Sequence, residues 1–546
     1  MRKSVKSLLI CAFFSFFPIF YSFSGPIYGF RIYLSDKANS TYSVDKPEEY
    51  LSQRAIDKRT RYNIAITEED LPVNQSYISQ IAAIDTAVKV WSVSKWTNTL
   101  TILCADTHAL GDIRALDFVT GIRPVGVYYN NPSKVNKNVE QPLRAPEPDT
   151  SLYGFAFPQI ALHNGHYLHN EGFRGEGMLI AILDGGWSKF DTFYNYLYVN
   201  NRIKGTYNLT PFTENLYENG FHGTACTSII ATNIPYQIVG TAPEADYLLI
   251  RSEEPGFELM IEEDLWARGA EIADSLGADV KSSSLGYHRF DDDTTITYSS
   301  CDGKTSIASI AATKAAHKGI IVCIAAGNEG ANEWHKISRP GDAKDILCVG
   351  AVNKDSVYAW FSSCGPSFDG RVKPDVASCG WGTFVIDPEG LIMPGNGTSF
   401  ATPVISGLSA CLWQALPEYN SLEIMQFIRE SGHQFLNPDT LLGYGIPDFY
   451  KAWLEHTKDK ITETKNNYHF SVYPNPANNQ IFLSNPEGKE VRYELFDVMG
   501  KIVRKEMEFS NNSVQLIDIQ NITKGVYLLQ IIEKNGNSEA LRVVKN

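Results

Sequence analysis

Between about Tyr153 and Leu454 the chain alternates short, continuously apolar runs with amphipathic ones, and this alternation restricts the fold more than any other feature. Met178–Leu183 (MLIAIL) and Ala245–Arg251 (ADYLLIR) lack polar alternation, as do strands buried on both faces. Phe257–Leu276 reads as an amphipathic helix, and Asp279–Ser283 starts another strand. Ser306–Lys318 is a helical stretch ended by Gly319, and Ile320–Ala325 and Ile346–Val352 read as strands. Asn420 and Glu423 form a capping box ahead of Ile424, Phe427 and Ile428. The repetition predicts an α/β domain, a mainly parallel sheet with helices on both faces. In such sheets ligands bind beyond the carboxyl ends of the strands.

The flanks differ. Arg2, Lys3 and Lys6 precede the apolar run Leu8–Phe23, closed by Ser22, Ser24 and Gly25, so residues 1–24 read as a secretory signal peptide. The run is short for a spanning helix and no later stretch reaches that length without charges, so no stable membrane span is expected in the mature chain. Residues 25–148 read as a small α+β domain and linker. Tyr28–Leu34 alternates like a strand, Glu48–Arg61 is a charged helical pattern, and Ala87–Val93 and Asn98–Cys104 suggest further strands. The polar stretch Asn136–Pro148, with prolines at 142, 146 and 148, reads as an exposed, cleavable linker. A small exported domain ahead of such a linker suggests a propeptide, the other reading being an accessory binding domain. The α/β domain is assigned 149–457 and a polar linker 458–468. Residues 469–546 carry short strands divided by turn signals such as Asn475-Pro476 and Asn535-Gly536, which predicts a C-terminal β-sandwich.

The formal net charge of −14 argues against a nucleic-acid partner. Of nine cysteines, Cys11 leaves with the signal. Cys323, Cys348 and Cys411 lie in apolar runs and read as core, whereas Cys301, Cys364 and Cys379 sit in loop-like surroundings and are the better candidates for disulfides. No paired CxxC spacing points to zinc.

Four positions carry candidate chemistry. In Gly395-Asn396-Gly397-Thr398-Ser399-Phe400-Ala401-Thr402-Pro403, glycines flank a Thr-Ser pair and a buried helix pattern follows. Pro403 suits the first turn of that helix. Ser399 would then sit among unpaired helix N–H groups, a suitable place for a nucleophilic hydroxyl and a developing oxyanion. The strand MLIAIL ends in Asp184-Gly185-Gly186, His222-Gly223-Thr224 opens an apolar helical stretch, and IVCIAA ends in Gly327-Asn328-Glu329-Gly330. Each alone has a bland reading, an ordinary turn or a helix cap. Together they supply an acid, a base, a nucleophile and an amide donor.

The chain order Asp184, His222, Ser399 is that of subtilisin and differs from the orders of α/β-hydrolases and chymotrypsin. Over roughly residues 150–455 the chain resembles the subtilisin-like serine proteases, the subtilases. The resemblance implies a secreted endopeptidase acting on protein or peptide substrates through an acyl-enzyme and made as a zymogen. Asp184 would orient His222, His222 would activate Ser399, and Asn328 would serve the oxyanion hole. Ser284-Leu285-Gly286 resembles the strand against which the substrate backbone pairs, and Gly443-Tyr444-Gly445 the closing turn before the last helix. No cofactor is required by this chemistry. Since subtilases often bind calcium, Asp291-Asp292-Asp293 has two readings, a solvated loop or a structural calcium site without EF-hand spacing.

The chain departs from the family pattern at Gly185, where a hydroxyl residue is common, at Cys226-Thr227, where Ala-Gly is common, and at Tyr287, where another glycine is common. Tyr287 is the departure expected to reshape the substrate cleft. Residues 469–546 resemble the C-terminal sorting domain of the type IX secretion system. The matching residues are Tyr473-Pro474-Asn475-Pro476, Glu494-Leu495-Phe496-Asp497 with Gly500-Lys501, Lys524-Gly525-Val526-Tyr527 and the basic close Arg542–Lys545. That implies the type IX machinery as a partner and export through the periplasm to the surface or the medium. The alternative for the whole chain is a catalytically silent surface-binding protein on the same fold; the intact Asp184, His222, Asn328 and Ser399 argue against it.

Overall fold

The computed structural model describes residues 25–129, 151–213, 215–254, 256–291, 296–463, 470–485, 487–497 and 500–545. The expected signal peptide, the Asn136–Pro148 linker, and Asp292 and Asp293 lie outside them. The chain divides into two compact units, Met1–His456 and Thr457–Asn546.

The first unit opens with an antiparallel sheet of order β2-β3-β1-β4, where β1 is Ile27–Leu34, β2 Lys89–Ser94, β3 Thr99–Cys104 and β4 Val119–Tyr128. Alternation along β1 sends Phe30, Ile32 and Leu34 into a small core shared with Ile81, Leu100, Ile102 and Ile113. Residues of the opposite face join the main core instead, among them Ile27, Leu103 and Val125. Helix α1 (Gln53–Arg61), capped by the Ser52 hydroxyl, lies beyond the sheet.

The α/β part is built on an eight-stranded sheet of order β14-β13-β12-β11-β10-β5-β9-β6. Its strands are β5 (Leu179–Asp184), β6 (Ile203–Asn208), β9 (Asp246–Arg251), β10 (Val280–Ser283), β11 (Ile321–Ala325), β12 (Leu347–Asn353), β13 (Val376–Ile386) and β14 (Ile392–Asn396). A two-stranded ribbon, β7 (Asn233–Ile234) with β8 (Ile238–Val239), stands apart. All pairings in the large sheet are parallel except β13 with β14. The chain leaves β5 for β6 and β9 on one side, then returns to β10 and the rest on the other. The order therefore reverses between β5 and β10, and a cleft opens at their carboxyl ends.

The labelled helices of this part are α2 (His222–Ala231), α3 (Ile261–Ser275), α4 (Ile307–His317), α5 (Thr398–Ala415), α6 (Ser421–Glu430) and α7 (Phe449–Glu463). Helix α5 is buried over nearly its whole length and packs on β10 to β13 and on α2. The capping box of Asn420 and Glu423 is formed at α6. Helix α3 starts at Ile261, later than its sequence pattern suggests. Helix α7 runs on to Glu463, through residues expected to be linker, because Lys458–Glu463 contains neither Pro nor Gly and is rich in helix formers.

The carboxylates of α3 meet the N-terminal sheet. Asp264, Glu271 and Asp274 share one face of the helix by their spacing. Arg31 grips Asp264 through Nε and Nη2 at 2.6 and 2.5 Å, and Thr101 Oγ1 donates to the same carboxylate. Glu271 accepts from Ser94 Oγ and from the backbone N–H groups of Lys95 and Trp96, closing the β2–β3 turn. Asp274 accepts from Arg59 and Lys95, and Asp70 from Arg59 and Lys318. These charges are almost completely buried.

The second unit has two antiparallel sheets over a core of its own that includes Ile481, Leu483, Leu495, Ile517, Leu529 and Ile531. One is β15-β16-β19 and the other β18-β17-β20-β21. The strands are β15 (Ser471–Tyr473), β16 (Gln480–Ser484), β17 (Val491–Asp497), β18 (Ile502–Lys505), β19 (Val514–Asp518), β20 (Gly525–Glu533) and β21 (Ser538–Lys545).

All eight described cysteines are unbridged and buried, including Cys301, Cys364 and Cys379, which the sequence marked for disulfides. Their segments look like loops in sequence but are covered by packing; Cys379 lies within β13.

Two predictions follow from the buried charges. Removing one partner of a buried ion network strands the other, so Arg59→Ala should destabilise the first unit by about 3–5 kcal/mol, read by denaturant unfolding. Burial alone would raise the Asp274 and Asp70 carboxyls, but Lys95 with Arg59, and Arg59 with Lys318, hold both below the ordinary 3.8. A carboxylate so lowered contributes fully above its ordinary value and loses that contribution as pH falls through the lowered one. The interface should therefore be as stable at about pH 5 as at neutrality and loosen only well below 3.8, which thermal unfolding across that range will register.

Candidate active site

Asp184 is the last residue of β5, a strand buried along its whole length. Its Oδ1 accepts from the Gly185 N–H at 2.7 Å and from His222 Nδ1 at 2.8 Å. The carboxylate is fully buried, and its Oδ2 has no hydrogen-bond partner among the described residues. His222 is the first residue of α2, with 27% of its side chain exposed. Burial disfavours its charged form, but the facing Asp184 carboxylate outweighs that and holds the imidazole well above its ordinary 6.5.

Ser399 is the second residue of α5, which begins at Thr398 after Gly397. Gly397 has φ +152°, a conformation that favours glycine. Gly395 is needed for a different reason: a Cβ there would come within 2.5 Å of the Phe400 ring. It belongs to edge strand β14, not to a free loop.

Pro403 lies inside the helix, not in its first turn as expected. The helix start is set by Gly397, one turn earlier than the proline would place it. Pro403 therefore lacks the N–H that would have bonded the Ser399 carbonyl four residues back. Two side chains take its place, Ser284 Oγ at 2.7 Å and Cys226 Sγ at 3.4 Å. The Ser399 hydroxyl in turn donates to the Ser284 carbonyl at 3.2 Å and not to His222. Cys226 also places its sulfur 3.8 and 3.9 Å from the two ring nitrogens of His222.

Asn328 follows β11. Its Oδ1 accepts from the Thr398 N–H at 2.9 Å and from Thr398 Oγ1 at 3.1 Å, which leaves Nδ2 as the free donor end. A Cβ on Gly397 would lie 3.6 Å from this Nδ2 and 3.7 Å from Ser399 Cβ, so the amide and the serine flank the same space. Thr398 Oγ1 is also within bonding distance of the Gly327 N–H and carbonyl, locking the strand end to the helix start.

The structure thus brings Asp184, His222, Asn328, Ser399 and Ser284 to one end of the sheet. Leu285 is buried, and a Cβ on Gly286 would meet Ser338 at 3.0 Å. Tyr287, expected to reshape the cleft, is fully buried and pairs through its backbone with Arg339. Asp291 exchanges bonds with Glu258, donating its N–H to the Glu258 carbonyl and accepting from the Glu258 N–H. The sequence reading assigned no positioning role to Thr398 or Cys226. The first was legible only as the neighbour of Ser399, the second only as a departure one helical turn after His222.

Residues 175–445 match the Subtilase family, residues 29–141 the peptidase S8 propeptide domain of Bacteroidota, and residues 471–546 the secretion system C-terminal sorting domain. Subtilisin E of Bacillus subtilis is 28% identical over 285 residues, 51% of this chain and 66% of that protein. Subtilisin of Bacillus pumilus is 27% identical, covering 51% and 92%. The crystal structure of MycP1 from Mycobacterium smegmatis superposes with a TM-score of 0.44 at 19% identity, covering 59% of this chain and 90% of that one. Fold, cleft and matches define an α/β protein with a propeptide and a sorting tail. The chain carries a subtilase-family domain over residues 175–445.

The grip on the Ser399 carbonyl can be tested by a double-mutant cycle. Ser284→Ala should cost about 1–3 kcal/mol by leaving that carbonyl short of a donor. In a Pro403→Ala background, where a backbone N–H becomes available, the cost should shrink, as denaturant unfolding of the four proteins will record.

Proposed function

We propose that the chain is an exported serine endopeptidase, made as a zymogen, that cleaves peptide bonds through an acyl-enzyme. The observation that carries this reading is the 2.8 Å bond from His222 to the buried Asp184, at the same end of the sheet as a helix-start serine and a donor-oriented amide. With the substrate backbone laid along Ser284–Gly286, its carbonyl carbon lies before Ser399 Oγ. The hydroxyl turns from the Ser284 carbonyl to His222 Nε2 and gives up its proton as it attacks. The imidazolium is stabilised by Asp184 and protonates the leaving amine. Asn328 Nδ2 and the Ser399 N–H, an unpaired helix-start donor, receive the oxyanion. Water then repeats the sequence on the acyl-enzyme. Every proton in this scheme has a donor and an acceptor among these groups, so the reaction as proposed calls for no cofactor.

Ser399→Ala should abolish hydrolysis of a peptide substrate while leaving unfolding unchanged within about 1 kcal/mol, and full retained activity would refute the assignment. Asn328→Ala should lower kcat on the order of a hundredfold or more. The base must be neutral, so kcat/KM should fall with acid through a limb whose midpoint lies above 6.5. Asp184→Asn should move that limb to lower pH and reduce kcat by about ten-thousandfold.

The propeptide match and the buried face of α3 support inhibition by the N-terminal domain until it is cut away. The sorting-domain match supports export, with the periplasm as the intermediate station. No described helix is long and apolar enough to cross a membrane. A chain ending near Lys458 should stay active but remain in the periplasm, whereas the full chain should deliver activity outside the cell. Assays of cell fractions decide this: equal external activity from both would defeat the sorting role.

A further inference from the structure

The sorting-domain motifs of the second unit contain residues that its core does not use. Leu495, Tyr527 and Val543 point inward and belong to that core. Alternation turns their neighbours Phe496, Val526 and Val544 to the outer face of the four-stranded sheet. There Phe496 stands opposite Ile502 on one side and Leu528 on the other, and Val526 stands opposite Val544. Side chains paired in this way are about 4.5–5.5 Å apart at Cβ, so these residues form one apolar patch across β18, β17, β20 and β21. Ile502, Val526 and Leu528 are 41%, 44% and 48% exposed. Contiguous apolar exposure rimmed by charge marks a surface that meets a partner. The rim here is basic. Arg542 is paired with Leu528, Lys524 directly precedes β20 and Lys501 directly precedes β18, and all three are exposed. Asp497, next to Phe496 in the chain, accepts the Lys501 N–H within its own turn, and Glu494 lies one row further in, opposite Lys505. The remaining motif holds this corner in place: Asn475 accepts from the Val544 N–H at 2.8 Å and donates to the Arg542 carbonyl at 2.6 Å. The other outer face of the sandwich also exposes apolar groups, Tyr473 and Leu516, but their neighbours on that face include Gln480, Ser484 and Asp518.

We propose that this patch is the surface by which the tail docks on the secretion system, and that the partner there is a protein surface with an apolar centre and an acidic rim. The proposal rests on the sorting role of the tail and adds which face is read. The match of residues 471–546 to a secretion system C-terminal sorting domain points to the partner, and the charges of the rim give its chemistry. Carboxylates facing Lys501, Lys524 and Arg542 steer the encounter and fix the orientation, while burial of Ile502, Val526 and Leu528 supplies most of the affinity. The exposed motif residues therefore serve recognition, and their inward neighbours serve folding. Because the two sets alternate along the same strands, the patch exists only in a folded tail, and Asn475 joins the first strand of the tail to the last where the patch ends.

The test reads the fraction of the full-length chain found outside the cell by immunoblot, which does not depend on peptidase activity. The paired change Val526→Glu with Leu528→Glu, and separately Lys524→Glu with Arg542→Glu, should each lower that fraction at least about tenfold, with the chain retained inside. Leu516→Glu, on the other outer face, and Arg542→Lys, which keeps the charge, should leave it within about twofold. Thermal unfolding of the purified full chains checks that the tail still folds. If the Val526 and Leu528 pair does not fold, the Lys524 and Arg542 pair, which alters no apolar side chain, decides. External delivery of a chain ending near Lys458 defeats the sorting role itself. Retention of that shortened chain together with normal delivery of both paired variants overturns the assigned surface and leaves the sorting role standing. An equal loss with Leu516→Glu also overturns it, since any added charge on the tail then suffices. Loss with the apolar pair alone, when both pairs fold, overturns the acidic rim. The purified full chain is also sedimented with phosphatidylglycerol vesicles and by itself in the ultracentrifuge. Binding to the vesicles that Leu528→Glu removes assigns the patch to lipid, and a dimer that Leu528→Glu removes assigns it to a second copy; either result overturns the proposal.

Discussion

The carbonyl of Ser399 is the point on which the site depends. A helix normally satisfies such a group from four residues further on, and Pro403 makes that impossible here. Ser284, just past the end of β10, and Cys226, in α2, supply the missing bonds. Two segments that are far apart in the chain are thereby tied to the start of the third. The hydroxyl of the same residue bonds back to the Ser284 carbonyl, so the two serines exchange bonds in both directions. A local defect in one helix is what fixes the position of its second residue to within a hydrogen bond.

A second constraint is the helix α3, whose carboxylates would be costly inside the protein without the N-terminal domain. Arg31, Arg59 and Lys95 neutralise Asp264 and Asp274, and Glu271 closes the β2–β3 turn. Around them, Ile27, Trp96, Leu103, Val125 and Tyr128 join the core of the α/β part. Such a face is matched to one partner, because removing that partner returns three carboxylates and an apolar patch to water.

Much of this arrangement was legible in the sequence where function and burial coincide. β5, β9, β11 and β12 are apolar along their interiors because helices cover both faces, and Asp184 and Asn328 fall at or just past the ends of two of them. The Asn420–Glu423 box fixed the start of α6. Other elements were hidden for physical reasons. β13 carries Gly380, Trp381 and Gly382 at its centre, and β14 carries Pro394, Gly395 and Asn396, so both look like turns; they form the antiparallel edge of the sheet. β18 and β21 in the tail are short or charged, and no continuous apolar run marks them. Tyr287 was misread because spacing does not reveal which way a side chain faces, and its ring turns into the core. Cys226 looked like a substitution in a pattern because its contacts are with His222 and with a residue 173 positions further along the chain.

The electrostatics of the interface also constrain how a zymogen of this design would be released. Asp274 and Asp70 are held below the ordinary 3.8 by buried cations, so a mildly acidic compartment does not protonate these two. Among the described residues, no histidine pairs with Asp264, Glu271 or Asp274 across this face. Salt acts weakly on pairs this deeply buried. The apolar contacts beneath them do not titrate at all. Equilibrium dissociation driven by pH or ionic strength is therefore a poor trigger, and a covalent cut that lets the N-terminal domain unfold is an effective one. On this argument the stability of the inhibited chain and the irreversibility of its activation have the same origin, the burial of Arg31, Arg59 and Lys95 against α3.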